Sequence, residues 1–450
     1  MSIETTIENI NNIYNNIDLQ VQRIKTNVET SIDTVITRGN LTSSGNETIE
    51  DLPSLINSIE TYKSYPNGTS WELISTIIYP TCICYGKGIW IVGSTSSVPI
   101  YSRDGKNWSE ISLSAYLPYI TYNDGMWVAA TSTTNFIYYS TDGINWSLGN
   151  LTPLTNSDSV VSIEYGNYMW ILQTMTTMYY STDGINWSNC DLSNLNNFGL
   201  PNSFTFIWNS AGNQNNIMTC HYDNGVWVSL SNYGIIYSND GITWYESNII
   251  SSNSIGTLSD GIMFANGIWV TGFNKNVLYS TDGMTWIHSN LTFSYYCSIN
   301  FNNNIWMLSD CTTGRISYST DGMTWTSIIN NAELNFIMYH GDKWYHCSFY
   351  LNRDINAKYS LDSITWSKVS GSTYTPYIIG YNCGIYIGLS DNALCYSYDG
   401  INFIDFDDEN LLLENITLSS NTILPQSFYK NGVWLISIGN KLFSSTCWEL

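Results

Sequence analysis

An eight-residue motif that occurs eight times constrains the fold of this chain more than any other feature of its sequence. The motif, here called the Asp-Gly motif, reads Tyr-Ser-x-Asp-Gly-x-x-Trp and returns about every 40 residues, a period that indicates a β-propeller or a solenoid. Its seventh copy has Ser363 in place of the glycine, and its eighth copy ends in Phe403. The copies span Tyr101–Trp108, Tyr139–Trp146, Tyr180–Trp187, Tyr237–Trp244, Tyr279–Trp286, Tyr318–Trp325, Tyr359–Trp366 and Tyr396–Phe403.

The residues of the Asp-Gly motif are those of a β-hairpin. Tyr-Ser ends one strand, Asp-Gly turns the chain, and x-x-Trp opens the next strand. Glycine provides the positive φ that the turn requires, and the aspartate carboxylate can accept hydrogen bonds from the N–H groups of the turn. The tryptophan supplies a large side chain for the core.

A second motif, aromatic-x-x-Gly-x-Trp, precedes the Asp-Gly motif and predicts a second hairpin. Clear copies are Tyr85–Trp90, Tyr122–Trp127 and Tyr222–Trp227, and looser copies occur in other units. Asn-Gly or Asp-Gly between apolar runs is the strongest short signal for a hairpin. Each unit is therefore predicted to be strand A, tight turn, strand B, variable loop, strand C, Asp-Gly turn and strand D, which is a propeller blade.

Nine A–B–C units are present, but only eight have their own strand D. The ninth reaches Lys441–Ser445 without an Asp-Gly motif, whereas Asn67–Ile74 has the pattern of an isolated turn followed by a strand D. Pairing of that first strand with the last three would close the ring and remove both free sheet edges. The sequence thus favours an all-β propeller of nine four-stranded blades. An eight-bladed ring with one atypical unit, and closure by residues 446–448, are the alternatives.

The Asp-Gly motif resembles the Asp-box of sialidase-like (BNR) propellers, although the usual box has one more residue between Asp and Gly. The resemblance covers residues 67 to 450. It implies a propeller fold but little about function, since the boxes of that family lie at an outer turn and act structurally. It thus implies a turn-fixing role for the aspartates of the motif, Asp104, Asp142, Asp183, Asp240, Asp282, Asp321, Asp362 and Asp399.

Residues 1–38 carry a different period, in which apolar residues follow one another at spacings of four and three. This heptad pattern predicts an α-helical coiled coil. Isoleucine at both core positions favours three or four strands over two, and we expect a homotrimer. A single amphipathic helix packed on the rest of the protein is the alternative. The stripe consists of Ile3, Ile7, Ile10, Tyr14, Ile17, Val21, Ile24, Val28, Ser31 and Val35.

Residues 39–62 form a predicted linker with a turn-rich start and a short helix. The stretch Gly45–Ile59 resembles a small segment of bacteriophage tail-fibre and baseplate proteins. The usual layout of such virion proteins is a coiled coil, then this segment, and then a C-terminal β head, which here comprises residues 63–450. The resemblance therefore implies attachment to other virion tail proteins through residues 1–62, and a place in the virion tail after synthesis in the host cytoplasm.

Charge and composition disfavour several classes of function. The chain has 37 acidic and 15 basic side chains and a formal net charge of −22, which disfavours binding to nucleic acid and to anionic membranes. We find no apolar run long enough to span a membrane and no secretory signal. The ten cysteines and four histidines are scattered without the spacing of metal ligands, so we expect no metal site and no cofactor.

Strands that run up, down, up and down place the A–B and C–D turns at one end of a blade and the B–C and D–A loops at the other. The second end holds most of the length variation, and function concentrates in such loops. Their Asn, Ser, Thr, Tyr and Asp residues suit hydrogen bonding to sugars and stacking on them. We therefore expect ligand contact at loop residues of units four to eight, namely Tyr233, Asp260, Tyr295, Arg315, Arg353 and Asp391.

A sialidase-like activity is not expected. Enzymes of that family bind the substrate carboxylate with three arginines, whereas only Arg315 and Arg353 fall on the variable loops, and the Arg-Ile-Pro element of the family is absent. Another glycosidase would need two carboxylates at a suitable separation, and Asp260 with Asp310 or Asp354 leaves that possibility open.

Three hypotheses follow from these observations. The leading one is a non-enzymatic receptor-binding protein of a phage tail fibre or baseplate whose head recognises a host surface glycan. The second is a structural virion propeller that binds protein partners, and the third is a glycan-degrading enzyme.

Overall fold

The computed structural model describes most of the chain from residue 71 to residue 446. The predicted coiled coil (1–38) and linker (39–62) lie outside the described residues and stay predictions. The described part belongs to one compact unit, Trp71–Thr446. Its ranges are 71–74, 77, 79–131, 136–150, 160–174, 176–195, 220–231, 234–250, 258–294, 296–310, 313–330, 336–347, 357–370, 376–382, 384–390, 393–406, 426–438 and 440–446.

These ranges form β-strands arranged as nine four-stranded blades. The chain begins with β1 (Glu72–Ile74). Blade 1 follows with β2 (Pro80–Gly86), β3 (Ile89–Ser94), β4 (Ile100–Ser102) and β5 (Ser109–Glu110). Blade 2 has β6 (Tyr119–Asn123), β7 (Met126–Ala130), β8 (Ile137–Ser140) and β9 (Ser147–Leu148). Blade 3 has β10 (Val160–Gly166), β11 (Met169–Thr174), β12 (Met178–Ser181) and β13 (Ser188–Asn189), and β14 (Asp191–Asn194) comes next.

The middle blades contain the longest outer strands. Blade 4 has β15 (Cys220–Asp223), β16 (Val226–Ser231), β17 (Gly234–Ser238) and β18 (Thr243–Ile250), with β14 added in parallel to β18 as a fifth strand. Blade 5 has β19 (Leu258–Ala265), β20 (Ile268–Phe273), β21 (Asn276–Ser280) and β22 (Ile287–Thr292). Blade 6 has β23 (Tyr296–Asn302), β24 (Ile305–Asp310), β25 (Arg315–Ser319) and β26 (Thr326–Asn330).

The last three blades complete the ring. Blade 7 has β27 (Phe336–His340), β28 (Lys343–Cys347), β29 (Lys358–Ser360) and β30 (Ser367–Lys368). Blade 8 has β31 (Tyr377–Asn382), β32 (Ile385–Ser390), β33 (Ala393–Ser397) and β34 (Ile404–Asp405). Blade 9 has β35 (Gln426–Lys430), β36 (Val433–Ile438), β37 (Lys441–Thr446) and β1. The strands A of most neighbouring blades contact one another, so strand A is the innermost strand. No helix of the described part is long and apolar enough to cross a membrane.

Strand β1 closes the ring as strand D of blade 9, which confirms the predicted nine blades. It pairs antiparallel with β37, with Leu73 opposite Phe443. Trp71 is buried, and its ring lies 5.4 Å from that of Trp434. Blades 9 and 1 share one apolar core, to which Val433 and residues of β1, β2 and β3 belong. The eight-bladed alternative is therefore wrong, and β1 rather than residues 446–448 fills the position of strand D.

Two kinds of aromatic contact build the cores between blades. In blades 1 to 8 the aromatic residue of the second motif packs on the aromatic residue that opens strand B, with ring centroids 4.3 to 5.0 Å apart. The tryptophan of the Asp-Gly motif packs into the core shared with the preceding blade, as Trp244 and Trp286 do. Burial of such large rings is the main stabilising contribution of each blade interface.

Each Asp-Gly turn is held by its own serine and aspartate. In blade 2 the Ser140 hydroxyl donates to Asp142 Oδ1 at 3.0 Å and accepts from Gly143 N at 2.8 Å. Asp142 Oδ1 also accepts the backbone N–H groups of Ile144 and Asn145 at 2.9 and 2.8 Å. The Ser–Asp bond and both backbone bonds recur in all eight motifs, which confirms the predicted turn-fixing role of the aspartates.

The glycine of the motif is needed for its backbone conformation and for packing. Gly283 has a φ of +73°, and a Cβ there would lie 2.6 Å from Val226 Cγ1 and 2.9 Å from Val228 Cγ2 of the preceding blade. A side chain at this position would therefore push two blades apart.

The residue four positions after the motif tryptophan joins neighbouring blades at the outer rim. Asn248 Oδ1 accepts Trp286 N at 2.7 Å, and Asn248 Nδ2 donates to Trp286 O at 2.8 Å. Asn290 makes the same pair of bonds to Trp325 of blade 6, at 2.8 and 2.9 Å. At the same position in three other blades the link is a backbone hydrogen bond to a carbonyl of the next motif. The N–H of Asn150 donates to the Ile185 carbonyl, that of Asp191 to the Ile242 carbonyl, and that of Ser370 to the Ile401 carbonyl.

Candidate ligand-binding site

The two ends of the propeller differ in the way that the strand order predicts. The A–B turns and the Asp-Gly motifs lie at one end, here called the turn face, where Lys87 Nζ of blade 1 donates to the Thr141 carbonyl of blade 2 at 2.9 Å. The B–C and D–A connections lie at the other end, here called the loop face. The turn face repeats itself from blade to blade, whereas the loop-face connections vary from the two residues 274–275 to the long segment 195–219.

The motif aspartates of the turn face are charged and already hydrogen-bonded within their own turns. For Asp183, partial burial acts to raise the pKa. The N–H groups of Asn186 and Ile185, the Asn186 side chain and the Ser181 hydroxyl outweigh burial and lower the pKa to about 2. The pKa values of the other seven are lowered as well, and the same kinds of hydrogen bond lower them. Such carboxylates stabilise the turns and are poorly suited to accept a proton in catalysis.

On the loop face, strand B often ends in a polar side chain that caps the B–C turn. In blades 1 to 4 this side chain is a hydroxyl, which accepts a hydrogen bond from a backbone N–H of the turn. The four hydroxyls belong to Ser94, Thr131, Thr174 and Ser231. Blade 6 has a carboxylate at this position, Asp310, whose Oδ1 accepts Thr313 N at 3.3 Å. Asp310 is only 1% exposed. A buried carboxylate is costly unless it is paired and hydrogen-bonded.

Arg315 is the cation beside Asp310. Its Nη2 lies 3.8 Å from Asp310 Oδ2 and donates a hydrogen bond to the Thr292 carbonyl at the end of blade 5. Asp310 Oδ2 also accepts Ser294 N at 3.0 Å. The Arg315 side chain is 30% exposed. The Arg315 side chain thus reaches across the seam between blades 5 and 6, and part of the side chain stays exposed.

Of the six residues predicted to contact a ligand, Arg315 is the one whose side-chain position the structure describes. Asp260 lies in β19 of blade 5, close to the loop-face end of that strand. The pairing of β19 with β23, Leu258 opposite Tyr296, brings the inner strands of blades 5 and 6 together beside it. Asp260 and Arg315 therefore belong to adjacent blades at the same face. The other four predicted contacts, Tyr233, Tyr295, Arg353 and Asp391, lie outside the described residues.

A hydrogen-bonded serine and histidine occur near this seam, but they are not placed for catalysis. Ser309 Oγ lies 3.0 Å from His346 Nε2, between blades 6 and 7. Both side chains are 0% exposed. Because a nucleophile must reach its substrate, we interpret this pair as a structural link between blades. Within the ranges given above, no three His, Cys, Asp or Glu residues are grouped as metal ligands.

Two titratable residues of the inner strands escaped the sequence analysis. Glu164 and His221 each precede the tyrosine of the second motif, in blades 3 and 4. Burial raises the pKa of Glu164 to about 8. Burial also lowers the pKa of His221, against the opposing effect of Asp223. Alignment of the nine units would have shown both, because most other units have a neutral residue at this position.

No protein-family model matches the chain, and no curated protein matches it. Solved structures with similar folds include YCF48 from Cyanidioschyzon merolae, 14% identical, which covers 84% of this chain and 98% of that chain with a TM-score of 0.39. A catalytically inactive virginiamycin B lyase from Staphylococcus aureus with quinupristin is 10% identical and covers 73% and 93% with a TM-score of 0.41. BamB from Moraxella catarrhalis is 9% identical and covers 62% and 93% with a TM-score of 0.39. These likenesses carry no argument about function, and the fold assignment rests on the strand pairing itself.

Proposed function

We propose that the chain is a receptor-binding protein of a phage tail fibre or baseplate, and that its propeller head recognises a host surface glycan through the loop face. The observation that carries the proposal is Arg315, whose side chain is held between two blades and is 30% exposed, on the face where the connections vary. On the turn face, by contrast, the motif carboxylates are already bonded within their own turns.

The geometry of Arg315 suits a sugar ligand. A guanidinium has five N–H donors in a planar fork, which can bond to neighbouring hydroxyl oxygens or to a carboxylate. Asp310 and the Thr292 carbonyl orient the side chain before the ligand arrives, so that less side-chain entropy is lost on binding. In this proposal Tyr233 and Tyr295 add aromatic faces for stacking, and Arg353 adds a second donor.

Binding without cleavage is the form of the proposal that the geometry supports best. Of the carboxylates considered for a glycosidase, Asp310 is buried and accepts N–H groups from Ser294 and Thr313 beside Arg315. A general acid needs access to the glycosidic oxygen, and Asp310 is therefore better explained as the anchor of Arg315. Attachment to other virion tail proteins and trimerisation are assigned to residues 1–62.

A glycan array with the full-length chain tests the proposal. We expect binding to a defined set of glycans, a loss of about tenfold in affinity for Arg315→Ala, since a hydrogen bond to a charged group contributes about 1.5 kcal/mol, and partial retention for Arg315→Lys. Asp282→Ala on the turn face is the matched control and should lower thermal stability without changing affinity. If the wild type binds no glycan, or if Asp282→Ala abolishes binding in the folded protein, the proposed function is wrong. Release of reducing sugar from a bound glycan would instead support the enzyme hypothesis.

A further inference from the structure

Basic side chains are concentrated on the turn face of blades 9 and 1. Lys430 precedes the A–B turn of blade 9, Lys87 lies in the A–B turn of blade 1, and Arg103 and Lys106 flank the Asp-Gly pair of blade 1. All four are exposed. We call these four residues the basic arc. Three carboxylates accompany it, namely Asp104 of the same motif, Glu72 on β1 and Asp142 next to the Thr141 carbonyl that Lys87 contacts, so that four cations stand beside three carboxylates in a chain of net charge −22.

Contacts between blades 9 and 1 join the turns that carry the basic arc. Asn431, in the A–B turn of blade 9, donates a side-chain hydrogen bond to the Tyr85 hydroxyl of blade 1. Gly105, between Arg103 and Lys106, packs against Val433 of blade 9. Lys87 is held at the other end by its bond to Thr141 of blade 2. The backbone that carries these charges is thus fixed by the ring itself.

The basic residues depart from a pattern that the fold otherwise keeps. The residue after the motif glycine, or after Ser363 in blade 7, is Ile or Met in the other seven copies. Ile242 and Met284, for example, are packed against apolar cores between blades. Lys106 replaces this apolar contact with an exposed charge, and Arg103 stands where the other copies have Thr, Asn, Leu or Tyr. The seven other copies contain no basic residue between their serine and their aromatic residue, so turn formation does not require one.

We propose that the basic arc is the docking site for an acidic polypeptide segment of another protein of the particle. The inference rests on the proposed function, because that function assigns the host glycan to the opposite, loop face. β1 runs away from the turn face, antiparallel to β37, so the chain enters the propeller at the turn face, in blade 9 beside the arc. In a chain of net charge −22, a group of exposed cations is a favourable contact for the carboxylates of a partner.

The test compares the full-length chain with a variant in which the basic arc is weakened without altering the turn. Arg103→Thr combined with Lys106→Ile gives blade 1 the same motif residues as blades 2 and 3, so that the variant keeps a sequence already compatible with this turn. Lys275→Asn removes an exposed cation from the loop face and serves as the control, because asparagine tolerates the φ of +65° at this position. The probe is poly-L-glutamate, and polygalacturonate serves as a polysaccharide of similar charge. Affinities are measured by calorimetry at low and high salt.

We expect poly-L-glutamate to bind the wild type, to bind more weakly at high salt, and to lose roughly tenfold in affinity in the double variant, since two exposed ion pairs are lost. Lys275→Asn should bind as the wild type does. Absence of binding, equal affinity in the double variant, an equal loss in Lys275→Asn, or tighter binding of polygalacturonate than of poly-L-glutamate would each overturn the proposal.

Glycan-array binding is measured in the same proteins and separates this inference from the proposed function. The double variant should keep the array binding of the wild type. If no protein binds the array but poly-L-glutamate binding still depends on the basic arc, the proposed function fails and the docking site stands.

Discussion

Ser363 is the one departure from glycine in the eight Asp-Gly motifs, and its replacement by glycine should stabilise the propeller. Ser363 has a φ of +67° and is 1% exposed. Its hydroxyl has no hydrogen-bond partner among the described atoms. In the seven other motifs the glycine N–H donates to the motif serine at 2.8 to 2.9 Å, a bond for which the described part of blade 7 has no counterpart at Ser363.

The expected gain is the difference between opposing effects. Relief of the left-handed conformation gives about 1 kcal/mol, and removal of an unsatisfied buried hydroxyl gives about another 1 kcal/mol. The greater flexibility of glycine in the unfolded chain costs about 0.5–1 kcal/mol. We therefore expect Ser363→Gly to raise the free energy of unfolding by about 1–1.5 kcal/mol, a rise of the melting temperature of about 1–2 °C for a unit of this size.

Differential scanning calorimetry of the full-length chain measures the effect, with the reverse change in blade 5 as a matched control. Gly283→Ser introduces the same strain and a Cβ that would lie 2.6 Å from Val226 Cγ1, so it should lower the melting temperature. A drop in stability for Ser363→Gly, or an unchanged melting temperature in Gly283→Ser, would refute the account of the turn.

The other predictions concern ring closure, an inner-strand carboxyl and the oligomer. Trp71→Ala should lower the free energy of unfolding by about 3–5 kcal/mol, because a buried tryptophan in the closing strand is lost; chemical denaturation measures it, and a loss below 1 kcal/mol, as for an exposed site, would argue against closure by β1. Burial raises the pKa of Glu164 to about 8 from its ordinary value of 4.5, so the folded state keeps a proton that the unfolded chain releases. Stability attributable to this group is therefore fully present below pH 4.5 and falls as the pH rises towards 8. Glu164→Gln should accordingly be more stabilising at pH 8 than at pH 4.5 in thermal melts, and an equal effect at both pH values would contradict the assignment. Sedimentation should show a trimer for the full-length chain and a monomer for residues 63–450, and a monomeric full-length chain at micromolar concentration would contradict the predicted coiled coil.

The blade architecture could be predicted from the sequence because each hairpin depends on the residues of its own turn. Asp-Gly and Asn-Gly pairs at fixed distances from tryptophans identify each hairpin without knowledge of the neighbours. The closing role of Asn67–Ile74 followed from the missing Asp-Gly motif of the ninth unit, and the pairing of β1 with β37 confirms it. The turn-fixing role of Asp142 and its counterparts was likewise a local property.

Contacts between blades were harder to predict, because they join residues of different units. The rim bonds of Asn248 and Asn290 connect positions 38 and 35 residues apart, and an asparagine after a strand gives no sign of its partner. Asp310 was considered a possible catalytic carboxylate, although in the structure it caps a turn and orients Arg315. That role depends on burial and on the neighbouring blade, neither of which is visible in a single repeat.

Hydrogen–deuterium exchange of the full-length chain, with and without a glycan identified on the array, tests the central claim most directly. The account predicts that the ligand slows exchange in loop-face segments of blades 5 and 6, around Thr292–Ser294 and Asp310–Arg315, and leaves the Asp-Gly motifs unchanged. Protection confined to the turn face would contradict the claim that the loop face recognises the ligand.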